Sequence, residues 1–157
     1  MTLKTLGAGD WARYRDIRLR ALEDTPNAFA RTLVEEQAFS EEKWRSRLTG
    51  DGLVVVAEVG GQDAGLVGGV PLQDRAGLVS MWVAPDHRRS GTGRALVQAV
   101  VAWARDAGFQ TLVLDVADEN TGAAAFYERL GFQRTGRTGT LPHPRTHITE
   151  HERALTL

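Results

Sequence analysis

The segment from Val83 to Val97 constrains the fold of this chain more than any other part of the sequence. An apolar run from Leu78 to Val83 leads into a proline, and a basic, glycine-spaced turn follows before an apolar-periodic stretch that begins near Arg94. This order predicts a strand, a tight loop and the start of a helix. The first amides of a helix lack intrahelical acceptors and lie at the positive end of its dipole, so we expect this loop to bind an anion, most simply a phosphate.

The side chains of the turn agree with an anionic ligand. Gly91 and Gly93 allow the backbone to approach a ligand without an intervening Cβ, and Arg88, Arg89 and Arg94 add positive charge. The whole chain has a formal net charge of only −1 with 25% charged residues, so the positive charge is local and suits a small ligand. A chain without a basic excess is not expected to bind nucleic acid.

Two common phosphate-binding loops do not fit this turn. A Walker A loop requires a lysine directly after its second glycine, and a Rossmann fingerprint requires a third glycine where Leu96 stands. The remaining pattern, Arg88-x-x-Gly91-x-Gly93, resembles the loop with which the GCN5-related N-acetyltransferase (GNAT) family holds the pyrophosphate of acetyl-CoA through backbone amides. The alternative interpretation is a glycine-rich turn that only connects a strand to a helix.

A second motif, from Asn120 to Phe132, resembles the other hallmark of the same family. It follows a second apolar segment, residues 111–116, as the family order requires. Asn120 is a suitable N-cap residue for a helix, and Gly131 is suitable for the position just after its end. The resemblance therefore covers residues 54–132 well and the two ends of the chain in outline.

The resemblance implies an α/β fold of the mixed α+β kind. We expect a mostly antiparallel sheet of about seven strands, flanked by about four helices, in which two parallel central strands splay apart. The gap is expected between residues 80–83 and 112–116. Unpaired backbone groups in such a gap cost free energy unless a ligand bonds to them, and in the family the pantetheine arm of the coenzyme acts as a pseudo-strand there.

Periodicity and turn residues predict the individual elements within one domain over residues 1–157. Strands are expected at residues 2–6, 53–59, 64–72, 78–83, 110–116, 132–137 and 147–157. Helices are expected from Asp10 to about Leu22, from Ser40 through Leu48, over residues 93–107 and over residues 121–130.

Composition narrows the setting further. The absence of cysteine excludes disulfides, thiolate metal sites and a cysteine nucleophile together. No stretch approaches the roughly 18 apolar residues of a membrane span, and the first residues lack the apolar region of a signal peptide. We therefore expect a cytoplasmic protein without membrane contact.

By resemblance, acetyl-CoA is the cosubstrate. Its expected contacts are Met81, Trp82, Val83, Arg88, Arg89, Ser90, Gly91, Thr92, Gly93, Arg94, Asn120 and Tyr127. Packing in the core is an equally good interpretation of Trp82. The family's general acid corresponds to Tyr127, and a phenol with a reference pKa near 10 is protonated at neutral pH and able to donate to a leaving thiolate. A half-buried structural role is the alternative for this tyrosine.

The acceptor side is less defined. Phe29, Glu35 and Asp115 are expected to contact a primary amine of a small molecule or a peptide N-terminus. The candidate general bases are Glu35, Glu36, Asp115, Asp118, Glu119, His143 and His147, although many family members remove the proton through a water chain. No metal is expected, because prolines around His143 prevent a helical histidine pair.

Two further functions remain open from the sequence. Besides a catalytic N-acetyltransferase, the chain could be a CoA-binding sensor without catalysis. The other alternative is an acyltransferase that uses an acyl donor other than acetyl-CoA. A homodimer through the C-terminal hairpin is compatible with the family.

Overall fold

The computed structural model describes residues 1–157 and contains one seven-stranded sheet with five α-helices. The strands are β1 (Thr2–Thr5), β2 (Leu53–Val59), β3 (Gln62–Leu72), β4 (Arg75–Val83), β5 (Thr111–Ala117), β6 (Gln133–Thr140) and β7 (Thr149–Thr156). The helices are α1 (Trp11–Asp24), α2 (Leu33–Gln37), α3 (Glu41–Ser46), α4 (Thr92–Asp106) and α5 (Thr121–Arg129). The strand order is β1-β2-β3-β4-β5-β7-β6, and only β4 and β5 are parallel. The predicted mixed, mostly antiparallel sheet is confirmed.

Several boundaries differ from the sequence-based expectation, and the two largest differences are at α2 and β4. Helix α2 was not predicted, because its five residues are too few to show a helical period; it begins where the Thr32 side chain accepts a hydrogen bond from the amide of Glu35. Strand β4 begins at Arg75 rather than Leu78. The connection from β3 is only the two residues Gln73 and Asp74, a tight turn in which Gln73 takes a left-handed φ of 55°.

The predicted splay between the parallel strands is present. Strands β4 and β5 pair only at Ala76–Leu112 and Gly77–Val113, and no pairing follows. The gap therefore begins after Val113, two residues later on β5 than the sequence suggested. A β-bulge accompanies it, because the register between β3 and β4 shifts so that Ser80 and its successor lie opposite a single residue of β3. A bulge of this kind bends a strand and re-aims it.

Each face of the sheet carries its own hydrophobic core. Helices α4 and α5 cover one face, where Leu96, Val100 and Leu114 are buried. Helices α1 and α3 cover the other face, where Ile17 and Trp44 are almost completely enclosed. No helix combines the length and the apolar character that crossing a bilayer demands. The splay of β4 and β5 lies in the sheet, between these two cores.

Gly69 tests how tightly α4 packs on the sheet. A Cβ at this position in β3 would lie 2.8 Å from two ring atoms of Trp103 in α4, closer than side chains approach. Gly69→Ala should destabilise the protein by about 1–3 kcal/mol through overpacking, measured by urea denaturation. The matched control is Gly122→Ala in α5, where a Cβ meets nothing within 4 Å. Equal stability of the two variants would contradict this packing.

Candidate functional site

The loop between β4 and α4 presents six consecutive amides without a partner. None of the backbone N–H groups of residues 89–94 donates a hydrogen bond within the chain, and the first intrahelical bond is that of Ala95 to the carbonyl of Gly91. Gly91 is the N-cap of α4, with a left-handed φ of 85° and no capping side chain. Free amides at a helix N-terminus form an anion-binding site, so the arrangement predicted from the glycine turn is present.

The side chain of Arg88 is engaged by protein groups on the outside of this loop. Its Nε donates to the carbonyl of Val83 at 2.9 Å, and its Nη2 donates to Asp24 at the end of α1 at 2.6 Å. The indole of Trp82 donates to the same carboxylate at 3.0 Å, and Trp82 itself is buried. The hydrogen bonds from Trp82 and then Arg88 lower the pKa of Asp24 despite partial burial. In the structure both residues therefore shape the loop through Asp24.

The two sequence motifs meet at Gly93. A Cβ on this glycine would lie 3.2 Å from Cε of Met81 in β4 and 3.3 Å from Cζ of Phe126 in α5. A side chain at this position would crowd both neighbours, so glycine allows the first turn of α4 to lie close to them. The splayed end of β4, the amide-rich loop and α5 of the second motif thus meet around Gly93.

Asn120 and Gly131 hold α5 in the way that the sequence predicted. The side-chain oxygen of Asn120 accepts a hydrogen bond from the amide of Ala123 at 3.2 Å, and its side-chain NH₂ group has no partner in the protein. Gly131 follows the helix with a left-handed φ of 101°. One end of the Asn120 amide is therefore structural, and the other is free to bind a ligand.

Tyr127 lies on α5 with its ring buried against Phe126 and Phe132. Its hydroxyl makes no hydrogen bond within the protein. Nε1 of Trp44 is the one side-chain nitrogen or oxygen that has neither a hydrogen-bond partner nor contact with solvent. The unpartnered Tyr127 oxygen therefore keeps some contact with solvent. Burial raises the pKa of Tyr127 above its usual value. The phenol is therefore protonated at neutral pH and has a proton available for donation.

Asp115 projects from β5 toward the opposite face of the sheet. Leu114 and Val116 belong to the core under α4 and α5, so the residue between them faces the side of α1. Asp115 pairs in register with Glu152 of β7, and Glu150 is the next residue of β7 on that face. Three carboxylates, which form the acidic edge, thus share one face of β5 and β7 next to the splay.

The electrostatics of these carboxylates are unequal. Partial desolvation and then the charge of Glu152 raise the pKa of Asp115, against the effect of Arg75. Partial desolvation and then Asp115 raise the pKa of Glu150. Glu152 instead binds Arg75 at 3.2 Å and the hydroxyl of Thr135 at 2.9 Å. Asp115 and Glu150 are therefore the two carboxyl groups here that hold a proton most readily.

Glu150 was missed in the sequence. Its strand is predicted, but its place beside Asp115 depends on the register between β5 and β7, which the sequence alone does not define. The alternation of acidic residues at 150 and 152 was the available signal, since alternate residues of a strand share a face.

A wall beside these carboxylates is made by two loops. Arg145, between β6 and β7, donates to the carbonyls of Pro26 at 3.0 Å and Ala30 at 2.8 Å, which ties the two loops together. The turn at residues 26–28 packs against β5, the strand of Asp115, and the charge of Arg145 acts to lower the pKa of Glu150.

The other acceptor-side candidates are dispersed. Phe29 is buried beneath Arg18, and Glu35 is an exposed residue of the first turn of α2 that accepts from Thr32. Glu36 is fully enclosed in an ion pair. Asp118 pairs with His151 at 2.9 Å. Of the three predicted acceptor contacts, only Asp115 lies on the acidic edge.

Comparisons with known proteins agree with this architecture. The sequence model of the Acetyltransferase (GNAT) family matches residues 13–132. N-acetyltransferase 8 from Homo sapiens is 36% identical over 89 residues, which are 53% of this chain and 39% of the human protein. This chain spans less than half of the length of the first curated relatives that it matches.

Solved structures resemble the whole chain. The ribosomal-protein-S18-alanine N-acetyltransferase from Escherichia coli has 26% identity and a TM-score of 0.73, covering 99% of this chain and 92% of that one. The protein yncA from Salmonella typhimurium, solved with its cofactor acetyl-CoA, has 20% identity and a TM-score of 0.78, covering 100% and 94%. The second likeness is one of fold.

Gly91 is the sharpest point at which to test the loop. A Cβ at this position meets nothing within 4 Å, so a substitution acts through the left-handed backbone alone. Gly91→Ala should weaken binding of CoA about tenfold, because alanine disfavours this conformation by roughly 1–2 kcal/mol. Calorimetric titration measures the effect. The matched variant Gly91→Asn tolerates the conformation and should retain more affinity; equal loss in both variants, or none, would contradict the backbone account.

Proposed function

The chain belongs to the acetyltransferase (GNAT) family, and from that premise we propose that it transfers the acetyl group of acetyl-CoA directly to a primary amine of a small molecule or peptide. The observation that carries the proposal is the row of six free amides at the start of α4, beside a sheet that is open on the same side. Residues 1–157 act in this proposal as one domain, because strands from both ends of the chain join one sheet.

The donor side is built for a ligand with a phosphate group and an amide-bearing arm. The free amides of residues 89–94, with Arg89 and Arg94 outside any ion pair, are suited to the pyrophosphate. The edge of β4 beyond Gly77 has no strand partner and is suited to hydrogen bonds with pantetheine. Arg88 and Trp82 support this site through Asp24, Met81 lies beside Gly93, and Val83 and Asn120 remain proposed contacts of the coenzyme.

The transfer needs three functions from the protein. When bound, acetyl-CoA supplies the acetyl group as a thioester. An amide of the splayed segment of β4 is positioned to donate to the carbonyl oxygen as negative charge develops there. Tyr127 is the proposed donor of a proton to the departing sulfur, and its raised pKa means that the phenol carries this proton at neutral pH.

The amine must lose a proton as its nitrogen bonds to the acetyl carbon. Asp115 is the proposed acceptor of that proton, directly or through one water, since it lies on β5 beyond the last rung to β4 and its pKa is raised above the usual aspartate value. Glu150 stands next to it as a second acceptor. The proton then leaves to solvent from the exposed Asp115 side chain.

The carboxylates of Asp115, Glu150 and Glu152 favour a cationic acceptor. Asp115 and Glu150 attract an ammonium group before it is deprotonated, and two positive charges, Arg75 and Arg145, stand near these carboxylates. The similar Escherichia coli protein is named for acetylating the alanine of a ribosomal protein, so a peptide N-terminus is one form of this acceptor and a small amine is the other.

Tyr127→Phe tests the proposed acid. The variant should keep the wild-type affinity for acetyl-CoA and lose about 10²-fold in kcat, because only the transferable proton is removed. Thiol release with a panel of amines and N-terminal peptides measures turnover. Unchanged kcat would exclude Tyr127 as the acid; binding without turnover on any acceptor in the wild type would favour a CoA sensor.

Asp115→Asn tests the proposed base. Turnover should rise with pH as Asp115 loses its proton, with an inflection above the usual aspartate pKa near 3.9, and the variant should lose about 10²-fold in kcat/KM. The matched variant Glu152→Gln removes a neighbouring charge that raises this pKa, so its inflection should move to lower pH with activity retained. Activity of Asp115→Asn within twofold of the wild type contradicts the assignment.

A further inference from the structure

We propose that Arg18 of α1 is a positioning residue that holds the bulge of β4 at Ser80, and thereby aims the splayed strand at the acetyl carbonyl. The inference rests on the proposed acetyl-CoA function and adds a residue that neither sequence motif contains. Arg18 does not contact the reacting atoms; it acts through Ser80.

The contact crosses the molecule from α1 to the sheet. Nη1 of Arg18 donates to Oγ of Ser80 at 2.8 Å, although the two residues are 62 positions apart. Arg18 is only 5% exposed, and its guanidinium lies 4.5 Å from the centre of the Phe29 ring. A buried guanidinium is costly, so its donors need acceptors of good geometry.

Glu36 sets the direction of that guanidinium. Its carboxylate, fully buried on α2, accepts from Nε of Arg18 at 3.0 Å and from Nη2 at 2.8 Å, and it also accepts from Arg47 at 2.7 Å. Burial acts to raise the pKa of Glu36, but the two guanidinium groups lower it overall, so the carboxylate is ionised. A two-point carboxylate pair fixes the plane of an arginine and leaves Nη1 directed at Ser80.

Ser80 is the strained point of the splayed strand. It has a left-handed φ of 60° at the bulge, a conformation that costs a non-glycine residue free energy and persists when the surroundings hold it. The bond from Arg18 is the side-chain hydrogen bond that the structure shows at this residue. Because the bulge sets the course of β4 beyond Val79, holding Ser80 sets where the free amides of this strand point.

The same network reaches the acceptor side. Phe29 lies in the loop that Arg145 ties to the β6–β7 connection, and Glu36 lies on the helix that follows this loop. The wall of the proposed amine pocket and the strand of the proposed donor site are therefore joined through one buried guanidinium.

The test uses the infrared carbonyl band of acetyl-CoA labelled with ¹³C in the acetyl carbonyl, bound to the purified full chain. In the wild type, donation from the strand should lower the band relative to free acetyl-CoA. Ser80→Ala and Ser80→Gly each remove Oγ, and in both the band should return toward the free value, while the Kd for acetyl-CoA stays within about threefold.

The two Ser80 variants separate a hydrogen bond from backbone strain. Glycine relieves a left-handed φ and alanine does not, so a band that is lost in Ser80→Ala and kept in Ser80→Gly would overturn the role of Arg18. Bands unchanged in both variants would overturn it as well. Failure of the wild type to bind acetyl-CoA would instead remove the proposed function on which the inference rests.

Arg18→Lys completes the cycle. Lysine keeps the charge beside Glu36 but lacks the planar set of donors, so this variant should lose the band shift to the same extent as Ser80→Ala. The double variant should lose no more than either single one, since both act through one bond. The control is Arg13→Gln, which breaks an ion pair of α1 with Asp63 and should leave the band as in the wild type; additive losses in the double variant would contradict the proposal.

Discussion

The splay of β4 and β5 is the constraint on which the rest of this structure depends. Two rungs, ending at Gly77 and Val113, join the strands, and beyond them the backbone of β4 lacks a partner on one side. Backbone groups without a strand partner are free to pair with a ligand that carries amides of its own. The free amides at the start of α4 lie at the end of the same gap and add a place for negative charge.

Long-range polar contacts keep the gap open in one shape. Asp24 accepts hydrogen bonds from Trp82 and from Arg88, which is 64 residues away in the chain. These bonds hold the end of β4 and the following loop against α1. Arg18 and Glu36 hold the bulge from the same helix layer. Arg18 and Asp24 both join α1 to β4, and Glu36 of α2 supports Arg18, so the helices on this face of the sheet help to define the course of the strand beside the gap.

Local patterns predicted most of the fold and one side of the site. The glycine turn at 88–93, the Asn120 cap and the alternating strands are signals carried by neighbouring residues, and the structure has the elements that they indicate. The sequence did not reveal the short helix α2, the attachment of Arg88 to Asp24 or the position of Glu150 and Glu152 beside Asp115. Helix α2 is too short to show a helical period. The other two features depend on strand register and on contacts between residues far apart in the chain, which one sequence does not define.

The most direct test of the account is calorimetric titration of the purified chain with acetyl-CoA, with CoA, NAD and ATP as comparisons. The open strand and the free amides predict saturable binding of acetyl-CoA and CoA, and loss of affinity when phosphate-free pantetheine replaces CoA. Absence of CoA binding, or preference for NAD or ATP, would contradict the account, because the gap and the loop would then have no ligand that matches both.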